Sequence, residues 1–260
     1  MSMQPDQIAS ARLGEAGKLW TSDLSVQEFA LLDAAGCEPL EFVMGSSVFH
    51  IGWQAQRLRE STELTVLTQA MYTARSNAMQ RMLSEAQQVQ ADGVVGVRLG
   101  VQPHGLSPEH VEFVAVGTSI RHKAAPGSLR RADGQAFTSH LNVQDFYTLL
   151  KTGHIPVAFV MGVCVWHVAA QGVMQTLKQV GQNIEMPQWT QGYYDAREQA
   201  LSRMQVEAER AGGSGITGVE WFAKEWMWGP HTLEFFTSGT AVRKVAGAAP
   251  LDPSFVLPLG

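Results

Sequence analysis

The amino-acid sequence predicts an α+β fold of two tandem homologous domains, each a small antiparallel or mixed sheet packed on one long helix. The first indication is a phrase that occurs twice, as FVMGSSVFHIG at residues 42–52 and as FVMGVCVWHVA at residues 159–169. The second is that longer blocks around this phrase recur in the same order. The third is hydrophobic patterning, which combines helical spacing with extended apolar runs in each copy.

The repeat consists of three collinear blocks, which indicates duplication of a whole domain. In the block with the repeated phrase, the second copy lies 117 residues after the first, and roughly half of the positions are identical. The distance is 122 residues in the other two blocks, because the second copy gains five residues between them. The blocks are 22–54 over 139–171, 72–97 over 194–219, and 111–121 over 233–243.

Each copy begins with a short predicted helix. Ser25 is an N-cap candidate before apolar residues at helical spacing, and Gly36 ends the pattern. Asn142 and Gly153 occupy the matching positions in the second copy.

Two extended segments follow the short helix. They read LEFVMG and VFHIG in the first copy, and the Val and Phe residues favour strands. Gly45 and Gly162 between the segments indicate a bend or a close backbone approach. We expect two strands here.

A long helix is predicted next, from alanines and methionines at helical spacing that include Ala74, Ala78 and Met82. Small residues let such a helix lie close against a sheet. A glycine-containing turn, ADGVVGV or GSGITGV, ends each helix. Two further strands then complete each copy, with mostly local hairpins between them.

The predicted domains span residues 22–123 and 138–245. A linker at 124–137 joins them, and a C-terminal tail covers 246–260. The linker is rich in Pro, Gly and Ala, and the basic residues that flank it are interpreted as solvated.

Composition excludes several classes of protein. The net charge of -5 argues against nucleic acid as a partner, since that contact needs clustered Lys and Arg. The two cysteines, Cys37 and Cys164, form no CxxC pair, so a zinc knuckle or redox pair is not encoded. No apolar run is long enough for a membrane span, and the N-terminus lacks the apolar core of a signal peptide. We expect a cytoplasmic protein.

Several motifs resemble the YbjQ-like family of heavy-metal-binding domains. The long helix that runs into ADGVVGV resembles the family's helix and turn, and VAVGTSIR and FTSGTAVR resemble its closing strand. FVMG stands where the family has its first strand. The resemblance implies a dodecin-like subunit that assembles into a pentameric ring, in a family without an established biochemical activity.

His50 and His167 are the histidines that repeat in register, and they are the candidate metal ligands. Imidazole suits zinc, copper or nickel, so a transition metal is the candidate cofactor. One ligand per domain requires convergence by symmetry, or partners such as Cys37 and His154, which also share a matched position. The alternative is a buried or interface histidine that is hydrogen-bonded to backbone.

Charged residues also repeat between the copies, and salt bridges within or between subunits are expected for them. The repeated pairs are Glu112 and Glu234, Glu85 and Glu207, Arg75 and Arg197, and Arg81 and Arg203. Trp226 and Trp228 occur in the second copy alone, where they either fill the core or form an interface. No nucleophile motif is present, and the glycines follow the helix instead of preceding it as a phosphate site requires.

These observations predict a non-enzymatic, homo-oligomeric assembly or binding protein in which neighbouring subunits cover edge strands and alanine-rich helices. The chain itself is the expected partner, and another protein could bind through the second domain. The alternatives are heavy-metal binding or sensing through His50 and His167, and small-molecule binding between subunits against Trp226 or Trp228.

Overall fold

The computed structural model describes residues 19–50, 60–103, 110–169, 185–225 and 231–245. These residues form two sheets and four helices, which confirms the predicted α+β class. None of the helices in these ranges is both long and apolar enough to cross a membrane.

The first copy contains helix α1 (Val26–Ala34), strand β1 (Cys37–His50), the long helix α2 (Thr65–Gln88), and strands β3 (Gly93–Pro103) and β4 (His110–His122). The second copy contains α3 (Val143–Lys151), β6 (His154–His167), α4 (Pro187–Arg210), β7 (Gly215–Glu225) and β8 (Thr232–Lys244). Each element has the same length as its counterpart, and the offsets are again 117 and 122 residues. The structure therefore repeats as closely as the sequence.

The two short helices end as the sequence predicts. The Ser25 hydroxyl accepts a hydrogen bond from the Glu28 N–H, and the Glu28 carboxylate accepts one from the Ser25 N–H, which completes a capping box. Gly36, just past the helix, has a φ of 74°, which favours glycine. In the second copy, the Asn142 side chain accepts from the Asp145 N–H.

Each copy forms a three-stranded antiparallel sheet, in the order β1-β4-β3 and β6-β8-β7. The prediction that these two segments are separate strands was wrong, because one 14-residue strand runs from the first segment into the second, to His50 in the first copy and to His167 in the second. The predicted close backbone approach is present at Gly45 and Gly162. A Cβ on Gly45 would lie 2.1 Å from the Ala78 carbonyl oxygen, and one on Gly162 would lie 1.8 Å from that of Ala200. The glycines thus let a long helix cross a straight strand at close range.

Two short strands are exchanged between the copies. Strand β2 (Thr62–Glu63) precedes α2 of the first copy but pairs antiparallel with the end of β6 in the second. Strand β5 (Phe137–Thr138) precedes the second copy but pairs parallel with the start of β3 in the first. The copies therefore interlock through backbone hydrogen bonds.

The packing has four layers, in the order sheet of the first copy, α2, sheet of the second copy, α4. Helix α2 contacts β1 and β4 on one side and β6 on the other, whereas α4 packs on β6 and β8. One apolar core runs through the first three layers. It includes Ala78 and Met82 of α2, Val43 of β1, and Met161 and Val165 of β6. The helix between the sheets is thus the structural centre of the chain.

Candidate functional site

A buried ion pair lies between the two copies. The Arg75 guanidinium on α2 contacts the Glu234 carboxylate on β8 at 2.5 Å, and the side chains are 1% and 2% exposed. The guanidinium also lies 5.3 Å from the centre of the Phe113 ring and 4.6 Å from that of Phe236. Either charge would be costly to bury without the other, so the two surfaces are complementary at this point.

A second polar contact joins the two long helices. The Tyr72 hydroxyl lies 2.6 Å from Oε2 of Glu207, and the same carboxylate oxygen accepts a hydrogen bond from the Met161 N–H at 3.1 Å. Burial raises the pKa of the Glu207 carboxyl, while these hydrogen bonds oppose the rise. Burial and the nearby carboxylate raise the pKa of Tyr72, so its hydroxyl remains protonated and can donate.

Arg203 links the exchanged strand β2 to β6 through hydrogen bonds. Its guanidinium donates to the Val163 carbonyl at 2.6 Å and to the Glu63 carboxylate at 2.9 Å. The hydrogen bond that Arg203 donates to Glu63 is the main cause of its raised pKa. Cys164 lies buried nearby, and burial raises the pKa of its thiol to about 12, so the thiolate that binds metals is disfavoured.

The exchanged strand β5 places an aromatic ring on a glycine. A Cβ on Gly93 would lie 2.1 Å from the Phe137 ring, so this ring lies directly on the Gly93 backbone. The ring also stacks on Phe146 at 5.7 Å. The strand contact continues through hydrogen bonds from the Gly96 N–H to the Leu141 carbonyl and from the Val97 N–H to the Ser139 carbonyl.

A cavity of about 480 Å³ lies between the copies. His140 lies on its wall, with Nδ1 2.7 Å from the Thr240 hydroxyl, and burial lowers the pKa of this histidine. Arg98 forms an ion pair with Asp23 on the first-copy side. Other lining residues include Asn142, Phe159, Glu220, Trp221 and Ser238. The mixed charges and aromatic rings suit a small polar ligand.

Two surfaces of the chain are exposed to solvent, although the matched surfaces of the other copy are buried in the contact between the copies. The open sheet face is the side of the first sheet turned away from α2, formed by residues 42, 44, 46 and 48 of β1 and 112, 114 and 116 of β4. The equivalent face of the second sheet is covered by α2. The open helix face is the outer side of α4, which includes Thr190, Tyr194 and Arg197. Its counterparts on α2 are Thr68, Tyr72 and Arg75, which contact the second copy.

The structure separates each candidate histidine from the additional ligand candidate on its own strand. His50 and His167 are the last residues of β1 and β6, whereas Cys37 and His154 are the first residues of the same strands. Thirteen steps of about 3.3 Å put the two ends of a strand about 43 Å apart, so Cys37 cannot share an ion with His50 of the same strand. Within the described ranges, no three His, Cys, Asp or Glu side chains cluster as a metal site would require.

The repeated charged residues lie partly in the contact between the copies and partly at the surface. Arg75 and Glu234 form the buried pair, while Arg197 pairs with its neighbour Glu198 at the surface. Two further repeated charges contact backbone: Glu85 accepts from the Met44 N–H, and Arg81 donates to the Ser46 carbonyl. Trp226 and Trp228 lie outside the described residues.

Sequence reasoning missed three contributors to the interface: Tyr72, Phe137 and the exchanged strand β2. Tyr72 repeats as Tyr194 and lies three residues before a repeated arginine, and this spacing on one helix face was the available signal. Two-residue strands have no periodicity, so nothing in the sequence marks them as strands.

Comparison with known proteins fits this architecture. The fold defines a tandem repeat of one α+β unit with an extensive contact between its copies. The YbjQ family model, described as "Putative heavy-metal-binding", matches residues 40–123 and again residues 157–245. The chain belongs to this family, as a tandem duplication of its domain.

Two relatives extend the comparison. An encapsulin nanocompartment protein of Mycobacterium tuberculosis is 58% identical over 254 residues, which cover 98% of this chain and 97% of that protein. A UPF0145 protein of Methanococcus vannielii is 38% identical over 61 residues, which cover 24% of this chain and 56% of that protein.

Proposed function

We propose that this chain is a non-enzymatic assembly protein whose copies associate into a closed ring. A relative of almost equal length is named as an encapsulin nanocompartment protein, which supports a role in assembly. The description of the family names metal binding and no reaction, which supports a non-enzymatic role. Cytoplasmic location, which the sequence predicts, is part of this proposal.

The observation that carries the proposal is a difference in exposure between matched apolar residues. Val165 is 0% exposed because α2 covers its face, whereas its counterpart Val48 is 49% exposed. Val143 is 0% exposed at the contact between the copies, whereas its counterpart Val26 is 87% exposed. Apolar residues that one copy buries through its neighbour are thus open on the other copy, and clusters of this kind typically mark a protein interface.

The two open faces lie at opposite ends of the layered chain, so they cannot meet within one molecule. A contact between them is heterologous, and repeated heterologous contacts give either a closed ring or an open filament. A ring built from whole chains contains an even number of domains. The pentamer that the family resemblance implies would therefore hold ten domains.

Native mass spectrometry of the purified full chain tests the proposal. We expect a single species at five times the 28.4 kDa chain mass at micromolar concentration. Another closed stoichiometry would correct the pentamer while keeping the ring. A 28.4 kDa monomer at all concentrations would refute the assembly role.

A second candidate function is the binding or sensing of a transition metal through His50 and His167. The observation that favours it is the identical position of these histidines, at the last residue of matched strands, together with the family description. Calorimetry with zinc, copper and nickel should show binding that a His50→Ala/His167→Ala variant loses. Equal affinity in wild type and variant would exclude this site.

The cavity beside His140 favours a third candidate, the binding of a small molecule between domains. Trp226 and Trp228 could contribute to such a contact or bind another protein through the second domain. A non-covalent ligand of constant mass in the native spectrum would support this candidate, and a spectrum of the bare chain after gentle purification would count against it.

A further inference from the structure

The surface of β7 at Gly215 has a recess that the described residues leave empty, whereas the matched recess of β3 at Gly93 is filled. At Gly93 the Phe137 ring occupies the space where a Cβ would be. At the matched residue Gly215, the nearest described atom to such a Cβ is Cγ2 of Val242, at 4.0 Å. The second copy therefore has the same glycine, but no ring among the described residues covers it.

Trp20 is the residue that corresponds to Phe137. It precedes α1 as Phe137 precedes α3, and it stacks on Phe29 at 5.5 Å as Phe137 stacks on Phe146. Phe137 is 0% exposed, whereas Trp20 is 46% exposed. Trp20 thus stacks on its helix as Phe137 does, but its ring is partly exposed instead of lying on a glycine.

The buried ion pair also has two separate counterparts. Arg197 on α4 matches Arg75, and Glu112 on β4 matches Glu234. Arg197 lies on the open helix face, where its present partner is the exposed Glu198. Glu112 lies on the open sheet face. The two faces therefore have complementary charges at matched positions.

The hydrogen-bonding groups of the interface are also duplicated. Oγ1 of Thr68 accepts from the Val165 N–H at 2.9 Å across the contact between the copies. Thr190 on the open helix face matches Thr68, and Val48 on the open sheet face matches Val165. The Tyr72–Glu207 contact has counterparts in Tyr194 and Glu85 in the same way.

We infer that the second domain of one chain docks on the first domain of the next chain, and that this contact repeats the one within the chain. Trp20 of the next chain covers Gly215, and its Glu112 pairs with Arg197. This assignment rests on the proposed assembly and names the surfaces that carry it. We assign a second copy of the chain to these surfaces because each chain carries both halves of the contact. The open sheet face and the open helix face of one chain cannot reach each other.

The inference is tested with variants at both halves of the contact, compared by sedimentation velocity at one protein concentration. Gly215→Leu fills the recess that the described residues leave open, so we expect a folded protein that sediments as the single chain. Arg197→Glu and Glu112→Arg should each shift the protein to the single-chain species. The double variant Arg197→Glu/Glu112→Arg restores the opposite charges and should recover the assembly.

Two controls separate assembly from folding. Glu209→Lys reverses an exposed charge on α4 whose counterpart on α2, Gln87, stays exposed although α2 lies between the sheets, so it should leave the sedimentation unchanged. Gly93→Leu must displace the Phe137 ring, so it should lower the melting temperature, whereas Gly215→Leu should not lower that of the dissociated chain.

If wild type assembles and Gly215→Leu and Arg197→Glu sediment like wild type, the contact is misassigned while the assembly role stands. A monomeric wild type would instead overturn both. Loss of assembly in the single charge variants without recovery in the double variant would also contradict the assigned pair.

Discussion

Replacement of Glu234 by glutamine tests whether the buried ion pair stabilises the contact between the domains. The substitution keeps the shape of the side chain but leaves the Arg75 guanidinium buried without a carboxylate. Nε and Nη1 of Arg75 have no hydrogen-bond partner among the described residues, so little else compensates the charge. Removal of one partner from such a pair costs about 3–5 kcal/mol, a large share of the ~5–15 kcal/mol that stabilises a typical protein.

Urea unfolding of wild type and Glu234→Gln at equal protein concentration measures this loss, since assembly makes apparent stability depend on concentration. Arg75→Met should lose a similar amount, because it leaves Glu234 as the unpaired charge. The double variant Arg75→Met/Glu234→Leu removes both charges and should regain most of the loss. If Glu234→Gln unfolds within about 1 kcal/mol of wild type, the pair does not hold the domains together.

Three further outcomes follow from buried groups elsewhere in the chain. Gly162→Ala should destabilise by at least about 1–3 kcal/mol because its Cβ would overlap the Ala200 carbonyl, whereas Gly100→Ala, with 3.9 Å of clearance, should change stability little; equal melting temperatures would refute the close packing. Burial lowers the pKa of His140, so the unfolded chain binds the proton first and stability should fall as the pH drops below 6.5. His140→Gln should lose this component, and an unchanged slope of stability against pH would contradict it. Burial raises the pKa of the Cys164 thiol to about 12, so a thiol reagent should label it only on unfolding; rapid labelling of the native chain would contradict this.

The sequence was sufficient for the repeat, for the helices and for the ends of the short helices. Ser25 and Gly36 determine the ends of α1 through local hydrogen bonds and backbone conformation, which are properties of the neighbouring residues. The alanines of α2 likewise mark the side that packs on its own sheet. The glycine in the middle of β1 was ambiguous, because both a bend and a close approach favour glycine there, and only the position of α2 decides between them.

The contact between the copies depends on tertiary structure, so the sequence could not supply it. Whether Arg75 pairs within its own helix or across to Glu234 depends on which sheet lies above it. The sequences of the two copies are nearly equivalent at Val48 and Val165, yet one is exposed and the other buried. The difference in exposure between matched residues therefore supports the proposed assembly surfaces, which periodicity alone does not indicate.

Electron cryomicroscopy of the purified full chain tests the central claim most directly. We expect a closed assembly in which α4 of each chain covers Met44 and Val48 of the next, with Trp20 lying on Gly215 of its neighbour. Separate chains, or an assembly held by other surfaces that leaves Val48 and Trp20 in solvent, would contradict it.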